Sequence, residues 1–428
     1  MTPSIVFDLL RLFLGPTTLT PRGIDRVDLA YARYLFTTWP GDCFGVLPTP
    51  LGMRLYERQR VLRGLDMLEL LWREGCERPN SALANVERRI RGQSGIPSDP
   101  DHPAIQKLRS VPRLIRLILA TGLAAGRSAI ETTPAEAIYL NVGQLGWAAP
   151  WLVSWLRHRP DIRPVFMLHD AIPIERPDLV TPIGCTAHRR MMRTAAQNAA
   201  GLIFTTQAAT DSVLRVLETY RHLVPATISV HLPVAPSFLA AGGPDPALAA
   251  HPYFIVVGAI EQRKNLPLLL NVWDELRRRR GDRTPRLVIA GSPGRGGGPI
   301  LRQLQAPGAV DDVIVASGLP SPALRRLVVN ARAVLMPSLA EGFGLPIIEA
   351  LAVGTPVLAS DLASHREVGG ELAVYLDPTD EAGWLHEIDR FTDGDDATAA
   401  LKGRIGAYRG MTPAEYFSRI DEFLRTLR

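Results

Sequence analysis

Two adjacent cations, Arg263 and Lys264, follow an apolar run, Phe254–Gly258, and precede a helical pattern from Leu266 to Arg280. In a doubly wound sheet, ligands lie where strands end and helices begin, and the free N–H groups at a helix N-terminus favour anions. Lys264 is one of only three lysines in a chain whose other fixed cations are arginines. This arrangement predicts a diphosphate site at the turn after Gly258, although an Arg-Lys pair taken alone is more often a solvated turn.

Two carboxylates and two glycines follow another apolar run, Ala333–Met336; they are Glu341, Gly342, Gly344 and Glu349. Glycines permit close approach of the backbone to a ligand, and amides before a helix can bond phosphate and sugar oxygens. The glutamates are eight residues apart, so a mostly helical segment would turn both carboxylates toward one cleft. Because carboxylates accept hydrogen bonds from paired hydroxyls, we expect a sugar or ribose site here. An ordinary turn with an exposed helix glutamate fits the same residues.

A histidine and an aspartate, His169 and Asp170, end a third apolar run, Pro164–Leu168. A strand end is where cleft residues belong in a parallel sheet. The pair predicts a functional histidine, whereas a lone histidine at such a position is more often structural. Near the N-terminus, Gly23 to Arg26 open a helical pattern after the first apolar run. Taken alone, Gly23 fits a turn before a helix that Asp25 caps.

Short apolar runs alternate with amphipathic stretches along the chain, which is typical of parallel α/β folds. One series of predicted strands runs from Ser4–Phe7 to Thr227–Val230, and a second from Tyr253–Gly258 to Leu372–Tyr375. Residues 232–252 are rich in Pro, Ala and Gly, which predicts a linker. We therefore expect an α/β protein with two Rossmann-like domains facing across a cleft. Their predicted extents are residues 1–232 and 253–410, with an amphipathic helix in residues 411–428; in known two-domain folds of this kind such a helix crosses back to the first domain.

The composition of the chain excludes several classes of function. The chain has 428 residues, a formal net charge of +5, and no run of about 18 uncharged apolar residues, so no membrane span is expected. Its three scattered cysteines predict a reducing cytoplasmic environment and no structural metal. The aspartate pairs at 99/101 and 393/395 lie in Pro- or Gly-broken stretches, so neither predicts a metal site. No basic or aromatic stripe indicates nucleic acid, and no dinucleotide-binding glycine pattern follows the first run.

Taken in order, these motifs resemble the family-4 group of retaining glycosyltransferases. The matching segments, between about Tyr253 and Pro378, are Gly258 with Arg263-Lys264-Asn265, Glu341-Gly-Phe-Gly-Leu-Pro with Glu349-Ala, Gly354-Thr-Pro-Val-Leu-Ala-Ser360, and Glu367-Val-Gly-Gly. In the first half, His169-Asp170-Ala-Ile-Pro173 and the segment around Gly23 are similar to the branch that builds bacterial surface polysaccharides. The resemblance implies a GT-B architecture with its donor site in the second domain.

The resemblance also implies roles for individual residues. Those implied in donor binding are Gly23, Gly258, Arg263, Lys264, Gly342, Phe343, Gly344, Leu345 and Glu349. Those implied in catalysis are His169, Arg263, Lys264 and Glu341, with Arg26 and Asp170 on the acceptor side. Arg263 and Lys264 would hold the diphosphate, Glu341 the transferred sugar, and Glu349 the ribose hydroxyls. Many members carry Arg directly after the strand glycine, where this chain has Ala259, so Arg263 would supply that charge.

The implied reaction is transfer of a sugar with retention of its anomeric configuration. Cations and helix-entrance amides would stabilise the leaving phosphate, so no divalent metal and no cofactor beyond the nucleotide sugar co-substrate is expected. Mannose from GDP-mannose is the first expectation, with a glycan or lipid-linked acceptor in polysaccharide biosynthesis; UDP-glucose and dTDP-rhamnose stay open. Two other classes also stay open, a sugar-nucleotide epimerase of the same fold and a catalytically silent sugar-nucleotide-binding subunit.

One further surface is predicted in Ala104–Ile130. Apolar residues recur there every three or four positions, and arginines interleave with them. Such a basic amphipathic helix can lie in an anionic membrane interface, or it can pack on the core with its arginines in water. The membrane alternative predicts a cytoplasmic protein that is peripheral on the inner face of the plasma membrane.

Overall fold

Two β-sheets with helices on their faces carry the fold. The computed structural model describes residues 2–14, 23–77, 81–94, 112, 115–117, 122, 126–220, 225–294, 297–305 and 312–427. The first sheet has eight strands in the order β4-β3-β2-β1-β5-β6-β7-β8, and the second has six in the order β11-β10-β9-β12-β13-β14. The α/β class expected from the sequence is confirmed.

The first sheet is parallel except at β3, which runs antiparallel to both of its neighbours. Its strands are β1 (Ile5–Asp8), β2 (Cys43–Thr49), β3 (Gly52–Glu57), β4 (Arg127–Ser128), β5 (Ile138–Asn141), β6 (Arg163–Met167), β7 (Gly201–Phe204) and β8 (Ala226–Ser229). The helices among them are α1 (Leu10–Leu14), α2 (Gly23–Thr37), α3 (Arg58–Glu77), α4 (Ser81–Ile90), α5 (Ala129–Thr132), α6 (Pro150–Val153), α7 (Ile172–Glu175), α8 (Pro182–Asn198) and α9 (Gln207–Glu218).

The second sheet is parallel throughout. Its strands are β9 (Tyr253–Val257), β10 (Arg286–Ala290), β11 (Val313–Ala316), β12 (Val334–Met336), β13 (Val357–Ser360) and β14 (Val374–Leu376). Two short helices, α10 (Pro236–Leu239) and α11 (Pro246–Ala249), lie in the predicted linker. The remaining helices are α12 (Leu266–Arg280), α13 (Gly298–Gln305), α14 (Ser321–Asn330), α15 (Leu345–Ala352), α16 (Ala363–Gly369), α17 (Glu381–Asp393), α18 (Asp396–Ile405) and α19 (Pro413–Thr426).

The central strands are continuous apolar runs because helices cover both faces of each sheet. In β1, Val6 packs on one face with Tyr139 and Phe166, whereas Ile5 and Phe7 join the core on the opposite face. All five side chains are buried. Parallel strands place their carboxyl ends on one edge, so the segments that follow β1, β5, β6 and β7 face those that follow β9 and β12 across the cleft.

The helix α19 lies against the first domain. The Tyr31 and Tyr416 hydroxyls are 2.7 Å apart, and the Tyr34 ring stacks on Phe417 with centroids separated by 4.1 Å. Arg163 donates to the carbonyl of Leu427 at 2.9 Å, just beyond the helix. These contacts join the end of the described chain to the core of the first sheet.

Most of the segment Ala104–Ile130 lies outside the described residues, so the membrane-facing helix stays a prediction. Its final residues, Arg127 to Ile130, form β4 and the start of α5. No helix in the described part of the chain is both long and apolar enough to cross a membrane.

Candidate active site

The two predicted phosphate-binding cations lie between β9 and α12. After Gly258, whose N–H donates to the Ala290 carbonyl at 3.0 Å, a 3-10 turn spans Gln262–Lys264. Asn265 then takes a left-handed conformation (φ 52°), and its side chain donates to the Pro378 carbonyl at 2.8 Å. This sharp turn directs Arg263 and Lys264 toward the segment after β12.

Both cations bond one carboxylate oxygen. Arg263 Nη1 lies 2.5 Å and Lys264 Nζ 3.0 Å from Glu341 Oε2, and neither bonds Oε1. Arg263 Nε also bonds Glu261 at 3.1 Å. The Lys264 side chain is only 7% exposed and that of Glu341 13%. Three residues that the sequence placed at the donor site therefore meet in one buried ion cluster.

Burial and charge act in opposite directions on Glu341. Burial alone would raise the pKa of this carboxyl, but Arg263 and Lys264 outweigh it and hold the pKa at about 2. Burial lowers the pKa of the Lys264 ammonium, and Glu341 opposes that change. Glu341 is the main cause of the raised pKa of Arg263. At neutral pH the cluster thus holds an ionised carboxylate between two cations.

The glycine loop after Glu341 is fixed by contacts with both domains. A Cβ on Gly342 would collide with the carbonyl oxygen of His169, so only glycine allows this approach. Gly344 has φ +98° at the N-cap of α15, and Phe343 is buried. A Cβ on Gly23 would lie 2.8 Å from Cδ1 of Leu345. The loop therefore lies in close contact with the first domain, between the ends of the two sheets.

The segment from Glu341 to Glu349 is helical only in its second half, because α15 begins at Leu345. Glu341 stays on the loop with the cations, whereas Glu349 on α15 pairs with Arg26 of α2 at 2.7 Å. Gly344 has a positive φ of 98°, which a continuous right-handed helix excludes, so the helix begins only after it.

His169 lies two residues after the end of β6, next to the glycine loop. Burial, followed by the nearby Arg11, lowers its pKa to about 4, so the imidazole is neutral at neutral pH. Its Nε2 atom is buried and has no hydrogen-bond partner among the residues that the structure describes. Asp170 has a raised pKa, mainly through burial, and one of its oxygens accepts from Ile172 N–H at 3.1 Å. The edge of the first sheet thus presents a neutral histidine beside the Glu341 cluster.

Several residues at this junction were missed or given no role from the sequence. Thr206, after β7, donates its hydroxyl to the Gly342 carbonyl at 2.9 Å. Ser364 donates to the Glu341 carbonyl at 2.7 Å, and Nδ1 of His365 lies 2.9 Å from the Ser360 carbonyl. The rule that ligands lie at the carboxyl ends of parallel strands would have selected Thr206, because it follows a predicted strand directly.

The sequence contains two aspartate pairs that we did not expect to bind a metal, and the structure describes one of them. Asp393 ends α17 and pairs with Arg280, and Asp395 caps α18 and pairs with Arg390. Asp99 and Asp101 lie outside the described residues. Within the ranges described above, no group of three His, Cys, Asp or Glu side chains is arranged to hold a metal ion.

The sequence is similar to those of known glycosyltransferases. Residues 251–393 match the family model described as glycosyl transferases group 1. O-antigen chain mannosyltransferase B of Escherichia coli is 34% identical over 173 residues, which are 40% of this chain and 43% of that protein. The serotype-specific mannosyltransferase WbdA of Escherichia coli is 29% identical over 239 residues, 52% of this chain and 29% of that protein. The match thus spans less than half the length of these curated relatives.

Two solved structures match along almost the whole chain. Sucrose-phosphate synthase from Thermosynechococcus elongatus has a TM-score of 0.62 at 15% identity, covering 99% of each chain. Anabaena HepE in complex with UDP-glucose has a TM-score of 0.61 at 14% identity, covering 99% of this chain and 100% of that one. The chain therefore has the GT-B fold of these proteins, and its residues 251–393 resemble the glycosyl transferases group 1 domain. The family resemblance drawn from the motifs is confirmed.

Proposed function

We propose that this protein is a retaining, metal-independent glycosyltransferase. It would move a hexose from a nucleotide diphosphate sugar to a glycan or lipid-linked acceptor in polysaccharide biosynthesis. Mannose from GDP-mannose is the first donor to test, in keeping with the mannosyltransferases among its relatives. The observation that carries the proposal is the buried cluster in which Arg263 and Lys264 share one oxygen of Glu341.

The cluster suits a donor whose leaving group is a diphosphate. Arg263 has a planar fork of five N–H donors and Lys264 has three, so each keeps donors beyond those that bond Glu341. In transfer, the bond from the anomeric carbon to the phosphate oxygen breaks, and negative charge grows on that oxygen. Cations held in a buried site stabilise such charge more than they would in water.

The remaining groups suit contact with the acceptor hydroxyl and the transferred sugar. In the proposed front-face step, the acceptor hydroxyl bonds the anomeric carbon on the side that the phosphate leaves, and its proton passes to the phosphate. Glu341 Oε1 bonds neither cation and would accept a hydroxyl of the transferred sugar. We infer that the neutral His169 would contact the donor sugar from the first domain, and that Arg26 and Asp170 would act on the acceptor side.

The decisive experiment is a donor panel. GDP-mannose, UDP-glucose and dTDP-rhamnose are incubated with the full chain and a polysaccharide-repeat acceptor, and the product linkage is read by NMR. We expect one donor to be consumed with formation of a glycoside of retained configuration. An inverted product, or epimerised donor without transfer, would contradict the proposal.

Metal independence has its own test. Because the proposed charge stabilisation comes from Arg263, Lys264 and helix-entrance amides, transfer should persist in excess EDTA. Loss of activity in EDTA that magnesium or manganese restores would show that this part of the proposal is wrong.

The proposed lipid-linked acceptor also implies contact with a membrane surface. Residues 104–130 carry the basic amphipathic pattern that would provide it. The full chain should float with anionic vesicles at low salt and detach as salt rises, because screening weakens attraction to the lipid headgroups. Replacing Arg109, Arg113 and Arg116 by Gln should reduce binding; equal flotation of wild type and variant would exclude this surface.

A further inference from the structure

A carboxylate of the second domain bonds the first turn of a helix in the first domain. Glu367, on α16, accepts hydrogen bonds from the N–H groups of Gln207 at 2.7 Å and Ala208 at 3.0 Å. These residues begin α9, where free N–H groups and the positive end of the helix dipole favour an anion. His231 Nε2 lies 3.0 Å from the same carboxylate. Glu367 thus makes three contacts across the domain boundary.

The residue before this turn adds a fourth contact between the domains. Thr206 is the N-cap of α9, and its hydroxyl accepts from Ala209 N–H at 3.0 Å. The same hydroxyl donates to the carbonyl of Gly342 at 2.9 Å, and the side chain is fully buried. The start of α9 therefore contacts both α16 and the glycine loop.

The helix α16 is also joined to that loop within the second domain. Ser364 donates to the carbonyl of Glu341, and the His365 ring lies beside Gly344, where an added Cβ would be 3.3 Å from its Cδ2. One short helix thus carries Glu367, which contacts the first domain, and two residues that support the loop. Movement of Glu367 away from α9 would shift this support.

From these contacts we propose that Glu367 is a positioning residue that holds the loop Glu341–Gly344 in its closed arrangement by capping α9 across the cleft. A cap supplied by another domain couples the start of α9 to domain closure, because the Glu367 carboxylate can bond the N–H groups of Gln207 and Ala208 only while the domains are closed. The catalytic consequence rests on the proposed function, whereas the closure can be measured without any substrate.

The structure offers matched variants on both sides of the contact. Glu367→Gln removes the charge, and Glu371→Gln removes an exposed charge four residues away as its control. Gln207→Pro deletes one donated N–H; proline is tolerated at the first helical position, and the extended Thr206 (φ −144°, ψ 156°) suits a residue before proline. Gln207→Ala is its control, because it keeps that N–H and loses only the side chain.

Amide hydrogen exchange of the unliganded full chain gives the first measurement. Exchange in peptides that contain residues 341–344 should accelerate about tenfold or more in Glu367→Gln and Gln207→Pro, because a hydrogen bond to a charged group contributes at least that factor. The two controls should exchange like wild type. Faster exchange confined to the start of α9, or equal acceleration in the controls, would overturn the proposal. If Glu367→Gln fails to fold, Gln207→Pro still tests the proposal, because it removes part of the same contact from the side of the first domain.

Kinetics with GDP-mannose give the second measurement. Glu367→Gln should lower kcat about tenfold with the donor KM nearly unchanged, since the loop is mispositioned while the phosphate-binding cations remain. Glu367→Asp, which keeps the charge, should recover part of kcat. A rise in KM alone would contradict a positioning role. If the wild type does not use GDP-mannose, the donor assignment is wrong, and hydrogen exchange still decides the role of Glu367.

Discussion

The guanidinium of Arg26, on α2 of the first domain, lies 2.7 Å from the carboxylate of Glu349 in the second domain. The Glu349 side chain is only 3% exposed, and burial raises its pKa while Arg26 opposes that change. A buried carboxylate of this kind depends on its cationic partner, because an unpaired charge in the interior is strongly unfavourable. The predicted acceptor-side arginine and the predicted ribose-binding glutamate therefore form one pair across the cleft in this structure.

The proposed roles of Glu341 and Glu349 can be tested separately, because only Glu349 pairs with Arg26. Glu349→Gln should weaken the binding of free GDP about tenfold, or ~1.4 kcal/mol, if its carboxylate bonds the ribose hydroxyls. Glu341→Gln should instead lower kcat and leave GDP affinity within about twofold. Isothermal titration with GDP and steady-state kinetics distinguish them, with Glu371→Gln as the control. The opposite pattern would exchange the two assignments.

Removal of the Lys264 ammonium should have a large effect on catalysis. Lys264→Ala should cost at least about 2 kcal/mol of transition-state stabilisation, or roughly 30-fold in kcat/KM, because charge-assisted bonds to phosphate are strong. Lys402→Ala, which removes an exposed lysine from α18, is the control. The folded state of Lys264→Ala should be checked by thermal denaturation, since Arg263 still pairs with Glu341. Kinetics near wild type would refute the assignment of Lys264 to the donor diphosphate.

A methyl group at Gly342 should force the domains apart. The new Cβ would meet the His169 carbonyl and lie 3.1 Å from Cβ of Asp170. We expect Gly342→Ala to lose at least about tenfold in kcat/KM while its circular dichroism stays that of a folded protein, because the clash lies between domains and not within one core. Gly403→Ala, where a Cβ meets no atom within 4 Å, should behave like wild type. Full activity of Gly342→Ala would argue against closure in the form described.

The neutral state of His169 has a measurable dependence on pH. Its pKa is lowered from 6.5 to about 4, so between these values the unfolded chain binds a proton that the folded protein does not. The free energy of unfolding should therefore fall as pH decreases from 6.5 toward 4, and His169→Asn should reduce that slope. Denaturant titrations at several pH values measure the difference. A His169 ring resonance that titrates near pH 6.5 would contradict the assignment.

The sequence predicted the parallel strands well because buried parallel strands are continuous apolar runs. The predicted strand Tyr253–Gly258, for example, is β9, which ends one residue earlier at Val257. The strand β3 was missed because only Leu55 and Tyr56 within it are buried, so neither an apolar run nor a period-two alternation appears. The two short linker helices were missed for a related reason: each is only four residues long.

Within the candidate site, local motifs predicted where the residues lie along the strands and loops. They did not predict which residues contact each other. The turn after Gly258 and the loop after Glu341 were placed at strand ends, where the structure has them. The pairing of Arg26 with Glu349, and of Glu367 with α9, joins residues more than 150 positions apart. Such contacts depend on the closure of two domains, and no spacing in a single sequence encodes the angle between them.

The helix α19 has a consequence for the order in which the protein is synthesised. Its buried Tyr416, Ile420 and Leu424 belong to the core that covers the first sheet, yet the ribosome makes them only after the entire second domain. The first 230 or so residues must therefore leave the exit tunnel with an apolar surface that nothing yet covers, and nascent chains stalled before residue 413 should recruit chaperones that bind such surfaces. A stalled chain that carries a C-terminal linker long enough to bring α19 out of the tunnel should release them, since the missing helix can then complete the first domain.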